Sequence, residues 1–150
     1  MNEYITATAV KFLRIRNYSR HELMQKLLNK GYEEAAVAEA VEYVTKRGYL
    51  NDAALCDMLL EKYADSGKYS LKEIYFRLKS RGLTTSLITE KLEDWDANLE
   101  YQAAIKIAKK CLNSKDKQDL HKKIISRLSR KGFKAVTVSK VLADLQDMSP

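Results

Sequence analysis

A threefold internal repeat runs through the chain and limits its fold more strongly than any other feature. Three glycines, Gly31, Gly82 and Gly132, each end a stretch with apolar residues at helical spacing, and they lie 51 and 50 residues apart. A further apolar series follows each glycine at the same spacing. Three copies at this period fill the 150 residues, which favours stacked modules over one large core.

Each copy is predicted to contain three helices, because its apolar residues recur every three or four positions. A serine followed three residues later by a glutamate forms a capping box, since each side chain satisfies a free backbone amide in the first turn of a helix. The box opens the second helix of the first two copies, as Ser19 with Glu22 and as Ser70 with Glu73. The third copy has Leu120 and Lys123 at these positions.

The predicted fold is all-α: a tandem array of three three-helix repeats, elongated and curved, over residues 1–50, 51–97 and 98–150. Three short helices bury only a small core, so neighbouring copies are expected to stack and stabilise one another. The chain has 5 glycines and 1 proline. So few turn residues argue against an all-β fold, which needs a turn every ~8–12 residues.

The basic residues are concentrated in the last third of the chain. Lys and Arg number 27 against 20 Asp and Glu, which gives a net charge of +7. Residues 103–150 alone carry 12 basic and 4 acidic side chains. Such a local asymmetry indicates that one end of the protein meets a polyanion or an acidic protein surface. The alternative interpretation is a solvated basic face that keeps the protein soluble.

The second helices of the second and third copies carry the candidate binding residues. In the third copy Leu120, Ile124 and Leu128 recur every four residues and are expected to face the core, while basic residues form a stripe on another face. The candidates for contact with a partner or DNA are Arg77, Arg81, Lys122, Lys123, Arg127, Arg130, Lys131 and Lys134. Arginine binds phosphate or carboxylate through two hydrogen bonds and lysine acts as a mobile charge, so this stripe suits a phosphate backbone or an acidic protein groove.

The sequence contains no arrangement of side chains typical of catalysis. His21 and His121 lie among charged residues in different copies, and neither Cys56 nor Cys111 has an apparent partnering base. No cysteines or histidines stand at the spacing of a zinc site, and the sequence has no glycine-rich phosphate-binding loop. The chain is therefore predicted not to be an enzyme and to need no metal or cofactor. It also lacks an apolar run of ~18 residues and a secretory signal, and two separated cysteines suit a reducing compartment, so a cytoplasmic protein is expected.

Four short strings occur in an order that is found in a known family. They are Arg16–Leu23 with Leu27 and Gly31, then Gly48-Tyr49-Leu50-Asn51-Asp52, then Ile74 with Leu78 and Arg81-Gly82-Leu83, and last Arg130-Lys131-Gly132-Phe133. The second string is the most distinctive of the four. The order and spacing of these strings over nearly the whole chain resemble the RecX regulatory proteins.

The resemblance implies a bacterial regulator of the RecA recombinase. RecX proteins are arrays of three-helix repeats that lodge in the groove of the RecA filament on DNA and restrain its ATPase, strand-exchange and co-protease activities. On this basis the chain is expected to act in DNA repair, recombination and the SOS response. The expected partner is the RecA filament, and contact with single- or double-stranded DNA stays open. The chain is expected to be a monomer and to bind no membrane.

Two other hypotheses stay open beside this resemblance. The basic last third of the chain also suits a helical repeat protein that binds nucleic acid directly, with an affinity that falls steeply as salt rises. The third hypothesis is a structural scaffold with unrelated partners. The string Gly48-Tyr49-Leu50-Asn51-Asp52 argues against a scaffold, and this argument rests only on the resemblance to RecX proteins.

Overall fold

The computed structural model describes residues 2–112 and 117–148, and all regular secondary structure in these two ranges is helical. The helices are α1 Glu3–Ile15, α2 Arg20–Asn29, α3 Glu34–Lys46, α4 Asp52–Ser66, α5 Leu71–Ser80, α6 Thr85–Glu93, α7 Ala97–Lys109, α8 Lys117–Lys131 and α9 Ala135–Met148. The prediction of an all-α fold built from three-helix repeats is confirmed. None of the described helices is both long and apolar enough to cross a membrane.

The predicted capping boxes open the second helices of the first two copies, α2 and α5, and a glycine follows the second helix of all three copies. The backbone amide of Glu22 donates to the Ser19 hydroxyl (3.1 Å), and the Ser19 amide donates to the Glu22 carboxylate (2.9 Å). Ser70 and Glu73 make the same two bonds, both at 3.1 Å, at the start of α5. The repeat glycines follow α2, α5 and α8 with φ angles of +95°, +80° and +92°. Residues with a Cβ rarely adopt this conformation, so glycine lets the chain leave each helix sharply.

One compact unit, unit 1, comprises Met1–Leu59 and Arg77–Leu92. Within it α1 and α2 both pack against α3. Its core consists of side chains with almost no exposed surface, namely Ile5 and Ala9 from α1, Leu23 and Leu27 from α2, and Val37, Val41 and Val44 from α3. Burying each of the larger side chains contributes about 1.5–3 kcal/mol. This burial orients α2 so that its basic residues Arg20 and Lys26 are turned towards solvent.

The other compact unit, unit 2, comprises Leu60–Phe76 and Glu93–Pro150. Helix α7 packs against α9, and α8 packs against both. The core combines small and branched side chains, namely Ala103, Ala104 and Ala108 from α7, Ile124 and Leu128 from α8, and Val138 and Val141 from α9. Because alanine side chains are short, α7 can lie close to its neighbours. Because Ile124 and Leu128 are buried in this core, the opposite face of α8 is turned towards solvent.

Candidate cationic interface

Helix α8 has one apolar face and one basic face. Ile124 and Leu128 lie one turn apart and are fully buried in the core of unit 2. With 3.6 residues per turn, Lys123, Arg127 and Arg130 lie on a different side of the helix, where all three are exposed. The periodicity that buries one face of α8 thus gathers its cations on the other.

A groove of about 800 Å³ runs along the basic face of α8, and we call it the α8 groove. Its basic lining residues are Lys110, Lys122, Lys123, Arg127, Arg130 and Lys131, and Cys111 and Ser126 complete the lining. None of these eight residues, all of which are described, carries a carboxylate. The mutual repulsion of six like charges is relieved when a polyanion binds, so the α8 groove suits phosphate groups or clustered carboxylates.

The α8 groove brings together five of the predicted binding residues, namely Lys122, Lys123, Arg127, Arg130 and Lys131. Lys134 is exposed after the end of α8, and its carbonyl accepts a hydrogen bond from the Val138 amide (3.0 Å) at the start of α9. The sequence prediction missed Lys110. It follows the last residue of α7, and its place in the groove depends on the packing of α7 against α8.

Two lysines of the α8 groove also form ion pairs within unit 2. Lys123 Nζ lies 3.5 Å from an Asp119 carboxylate oxygen, and these side chains are 59% and 52% exposed. An exposed pair of this kind on one helix contributes only about 0.3–0.5 kcal/mol, so an incoming anion can displace it. Lys131 Nζ lies 3.3 Å from a Glu73 carboxylate oxygen and is 29% exposed. This second pair ties the end of α8 to the start of α5.

Arg81, another predicted binding residue, is engaged inside unit 1. Its Nε lies 3.0 Å from a Glu22 carboxylate oxygen, and its Nη2 donates to the Asn17 carbonyl (3.0 Å). Burial acts to raise the pKa of Glu22, but hydrogen bonds from Arg81 and the Ser19 amide, together with the nearby arginine charges, hold that pKa below its ordinary value. The Arg81 guanidinium is therefore part of the packing of its own unit. Arg77 is exposed on α5.

The histidines and cysteines differ in their exposure to solvent. His21 is exposed and His121 half-buried. Cys56 is fully buried, and this burial raises the pKa of its thiol. Cys111 is half-buried at the α8 groove. Within the described ranges, no three His, Cys, Asp or Glu side chains are grouped so that they could hold a metal ion.

Comparison with known proteins gives similarities to one family. Residues 7–43, which span most of α1–α3, match the family model described as RecX, first three-helix domain. The chain is 27% identical to Regulatory protein RecX of Chlorobium limicola over 145 residues, which cover 96% of this chain and 91% of that protein. It is also 27% identical to Regulatory protein RecX of Clostridium tetani over 143 residues, covering 91% of this chain and 65% of that protein.

Two crystal structures have a similar fold. The structure of RecX from Lactobacillus salivarius matches with a TM-score of 0.88 at 18% identity, and the match covers 96% of both chains. A structure of regulatory protein RecX matches with a TM-score of 0.80, again at 18% identity, over 93% of this chain and 72% of that one. At this identity the two matches establish a common helical architecture.

Proposed function

We propose that the chain is a regulatory protein of the RecX family, to which it is similar in sequence, and that it binds filaments of the RecA recombinase on DNA and inhibits their ATPase, strand-exchange and co-protease activities. In this proposal it is a cytoplasmic monomer without catalytic activity of its own, and it acts in DNA repair, recombination and the SOS response. The order and spacing of the four RecX-like strings, joined to the family match, support the choice of RecA as the partner.

The single observation that carries the site assignment is the α8 groove. It is lined by six basic residues and, among its described lining residues, by no carboxylate. In the proposal this groove binds an anionic surface of the filament, either acidic side chains of RecA or phosphates of the bound DNA. Arginine and lysine both suit such ligands, since arginine forms paired hydrogen bonds and lysine adapts its position.

The proposed mechanism of inhibition is a bridge between neighbouring RecA protomers. A filament presents the same surface repeatedly, and this chain contains three similar modules, which we assign to residues 1–50, 51–97 and 98–150. Modules that bind successive protomers hold them in one arrangement. The movements that accompany ATP turnover are then opposed, because a ligand that binds one conformation better shifts the population towards it.

Charge reversal in the α8 groove tests the proposed site. The variant combines Lys123→Glu, Arg127→Glu and Arg130→Glu, all at exposed positions. Loss of three charged contacts, each of about 1 kcal/mol, raises the concentration needed for half-inhibition of RecA ATP hydrolysis by roughly 100-fold. The matched control combines Lys11→Glu, Arg14→Glu and Lys62→Glu, which change the net charge equally at exposed positions of α1 and α4.

The expected result is a large loss of inhibition for the groove variant and a small loss for the control. Circular dichroism verifies that both variants keep the helical content of the parent chain. Equal inhibition by the parent and a folded groove variant rules out the α8 groove as the contact site. Equal losses in the two triple variants indicate that net charge alone is responsible.

The second candidate function, direct binding to nucleic acid, is supported by the same six basic residues. If all six contact phosphates on duplex DNA, the logarithm of the affinity falls with the logarithm of salt concentration at a slope of about −5. Titration of labelled duplex DNA at several salt concentrations measures this slope. Tight DNA binding with a steep slope, combined with no effect on RecA, favours this second function.

A further inference from the structure

The first capping box has a second partner besides its own helix. The Ser19 hydroxyl, which is fully buried, donates to the Arg81 carbonyl at the end of α5 (2.5 Å). The Glu22 carboxylate pairs with the Arg81 side chain (3.0 Å). The start of α2 is thereby joined to the end of α5 by one neutral and one charged contact, both within unit 1.

The second capping box makes the same two contacts in unit 2. The Ser70 hydroxyl, also fully buried, donates to the Lys131 carbonyl at the end of α8 (2.5 Å). The Glu73 carboxylate pairs with the Lys131 side chain (3.3 Å). The start of α5 is therefore joined to the end of α8. The same two contacts join the start of α2 to the end of α5. We call each of these connections a docking joint.

Two further elements recur in both docking joints. In each joint a carboxylate near the start of another helix accepts a hydrogen bond from the first backbone amide of the helix that begins with the capping box. Asp52 of α4 accepts from the Arg20 amide (2.8 Å), and Glu100 of α7 accepts from the Leu71 amide (3.3 Å). The glycine after the receiving helix lies against the docked helix. A Cβ added at Gly82 would lie 2.7 Å from His21 Cβ, and one at Gly132 would lie 2.9 Å from Lys72 Cδ. Each joint thus joins a Ser-x-x-Glu helix start to a receiving end made of a basic residue, a glycine and an acid.

A third receiving end lies at the close of α2. Lys30 and Gly31 stand at the end of α2 as Lys131 and Gly132 stand at the end of α8, and both Lys30 and Gly31 are exposed. No described atom beyond its chain neighbours lies within 4 Å of a Cβ built at Gly31. Glu3 is the first residue of α1, as Asp52 is the first residue of α4.

The start of α1 is held beside this end of α2. The Tyr4 ring meets the Tyr32 ring edge to face, with centroids 6.2 Å apart, and the Thr8 and Tyr32 hydroxyls are 3.5 Å apart. Tyr4 is 72% exposed. The basic residue and the glycine of a receiving end, Lys30 and Gly31, are therefore accompanied by the exposed ring of Tyr4, which offers a docked helix an apolar surface. Glu3 precedes this tyrosine in the first turn of α1.

We propose that this surface, the α2 end formed by Tyr4, Lys30 and Gly31 beside the first turn of α1, binds the amino terminus of a helix of a partner protein that begins with Ser-x-x-Glu. The two docking joints define this chemistry: a hydroxyl donates to the carbonyl that ends a helix, a carboxylate pairs with the adjacent cation, and opposite ends of two helix dipoles meet. The proposal goes beyond RecA regulation and does not depend on it.

A second copy of this chain does not offer such a helix start. Ser19 and Ser70 are both fully buried in their own docking joints. The third copy has Leu120 and Lys123 where the box would be, and a lysine there repels Lys30 instead of pairing with it. Residues 1–150 therefore offer no free helix start of this kind, and the proposal assigns the occupant to a partner protein.

The test is an NMR titration of the ¹⁵N-labelled full chain with a synthetic helix. The probe copies residues 69–80, which contain the second capping box. This box is chosen because its Glu73 pairs with a lysine, Lys131, and the corresponding residue of the α2 end, Lys30, is also a lysine. A hydrocarbon bridge replaces the exposed side chains of Phe76 and Ser80 to hold the peptide helical. The control peptide carries Ser70→Ala and Glu73→Ala in the same bridged form, and circular dichroism compares the helicity of the two peptides.

The expected result is a saturable shift of the amide signals of Gly31 and its neighbours, with at least tenfold weaker binding of the control peptide. In the chain, Lys30→Glu weakens binding of the probe at least tenfold and Lys11→Glu leaves it unchanged. Equal binding of both peptides, shifts confined to other residues, or no shift at about 1 mM peptide overturns the proposal. A Gly31 shift on simple dilution without peptide also overturns it, because a second copy is then the occupant.

Discussion

Replacement of Ser19 by alanine is expected to destabilise the chain about twice as much as loss of an ordinary helix cap. The Ser19 hydroxyl accepts from the Glu22 amide and donates to the Arg81 carbonyl. Loss of the cap costs about 1 kcal/mol, and loss of the second hydrogen bond costs about 1 kcal/mol more. For a chain of this length the sum of about 2 kcal/mol lowers the Tm by roughly 4–8 °C. Alanine leaves little empty space, so a cavity adds little to this loss.

The matched control is Thr84→Ala. Thr84 caps α6 by accepting from the Leu87 amide (3.2 Å) at an exposed position. This variant is expected to lose only the cap, about 1 kcal/mol. Urea and thermal unfolding followed by circular dichroism measure both losses. If Ser19→Ala is no more destabilising than Thr84→Ala, the bond from the Ser19 hydroxyl to α5 contributes nothing, and the docking joint loses its main support.

Two further predictions concern the same contacts. The pKa of Glu22 is lowered in the folded chain, so the stability that this carboxylate contributes is complete above its unfolded pKa and is lost as pH falls through the folded pKa. Glu22→Gln should flatten the fall in urea midpoint between about pH 6 and about pH 3, and an unchanged acid profile contradicts this. Gly82→Ala should be more destabilising than Gly31→Ala by at least about 1 kcal/mol. Both glycines have positive φ, but only a Cβ at residue 82 meets a neighbouring helix. Equal losses of stability in thermal unfolding contradict this prediction.

The helices and their caps could be predicted because their signals are local. A capping box spans four residues, and the repeat glycines stand at regular intervals. The basic face of α8 follows from the same periodicity, since burial of Ile124 and Leu128 turns Lys123 and Arg127 outwards.

Contacts between distant parts of the chain could not be predicted. Arg81 and Glu22 are 59 residues apart in sequence, so the spacing of charges along one helix gave no sign that this arginine pairs within the chain. Lys131 was predicted for its place on the basic stripe, yet it lies in the α8 groove and also pairs with Glu73. Lys110 joins the groove only through the packing of α7 against α8. These features depend on which helix ends meet, and a helical period does not contain that information.

The most direct test of the central claim is a titration of this chain into RecA that is hydrolysing ATP on single-stranded DNA, at fixed salt. The proposed function predicts that hydrolysis falls when the chain is present in fewer copies than RecA, because one bound chain restrains several protomers of a filament. Simple competition for bare DNA needs far more protein. Full hydrolysis at equimolar chain, with the helical fold verified by circular dichroism, contradicts RecA regulation and leaves direct nucleic-acid binding as the stronger hypothesis.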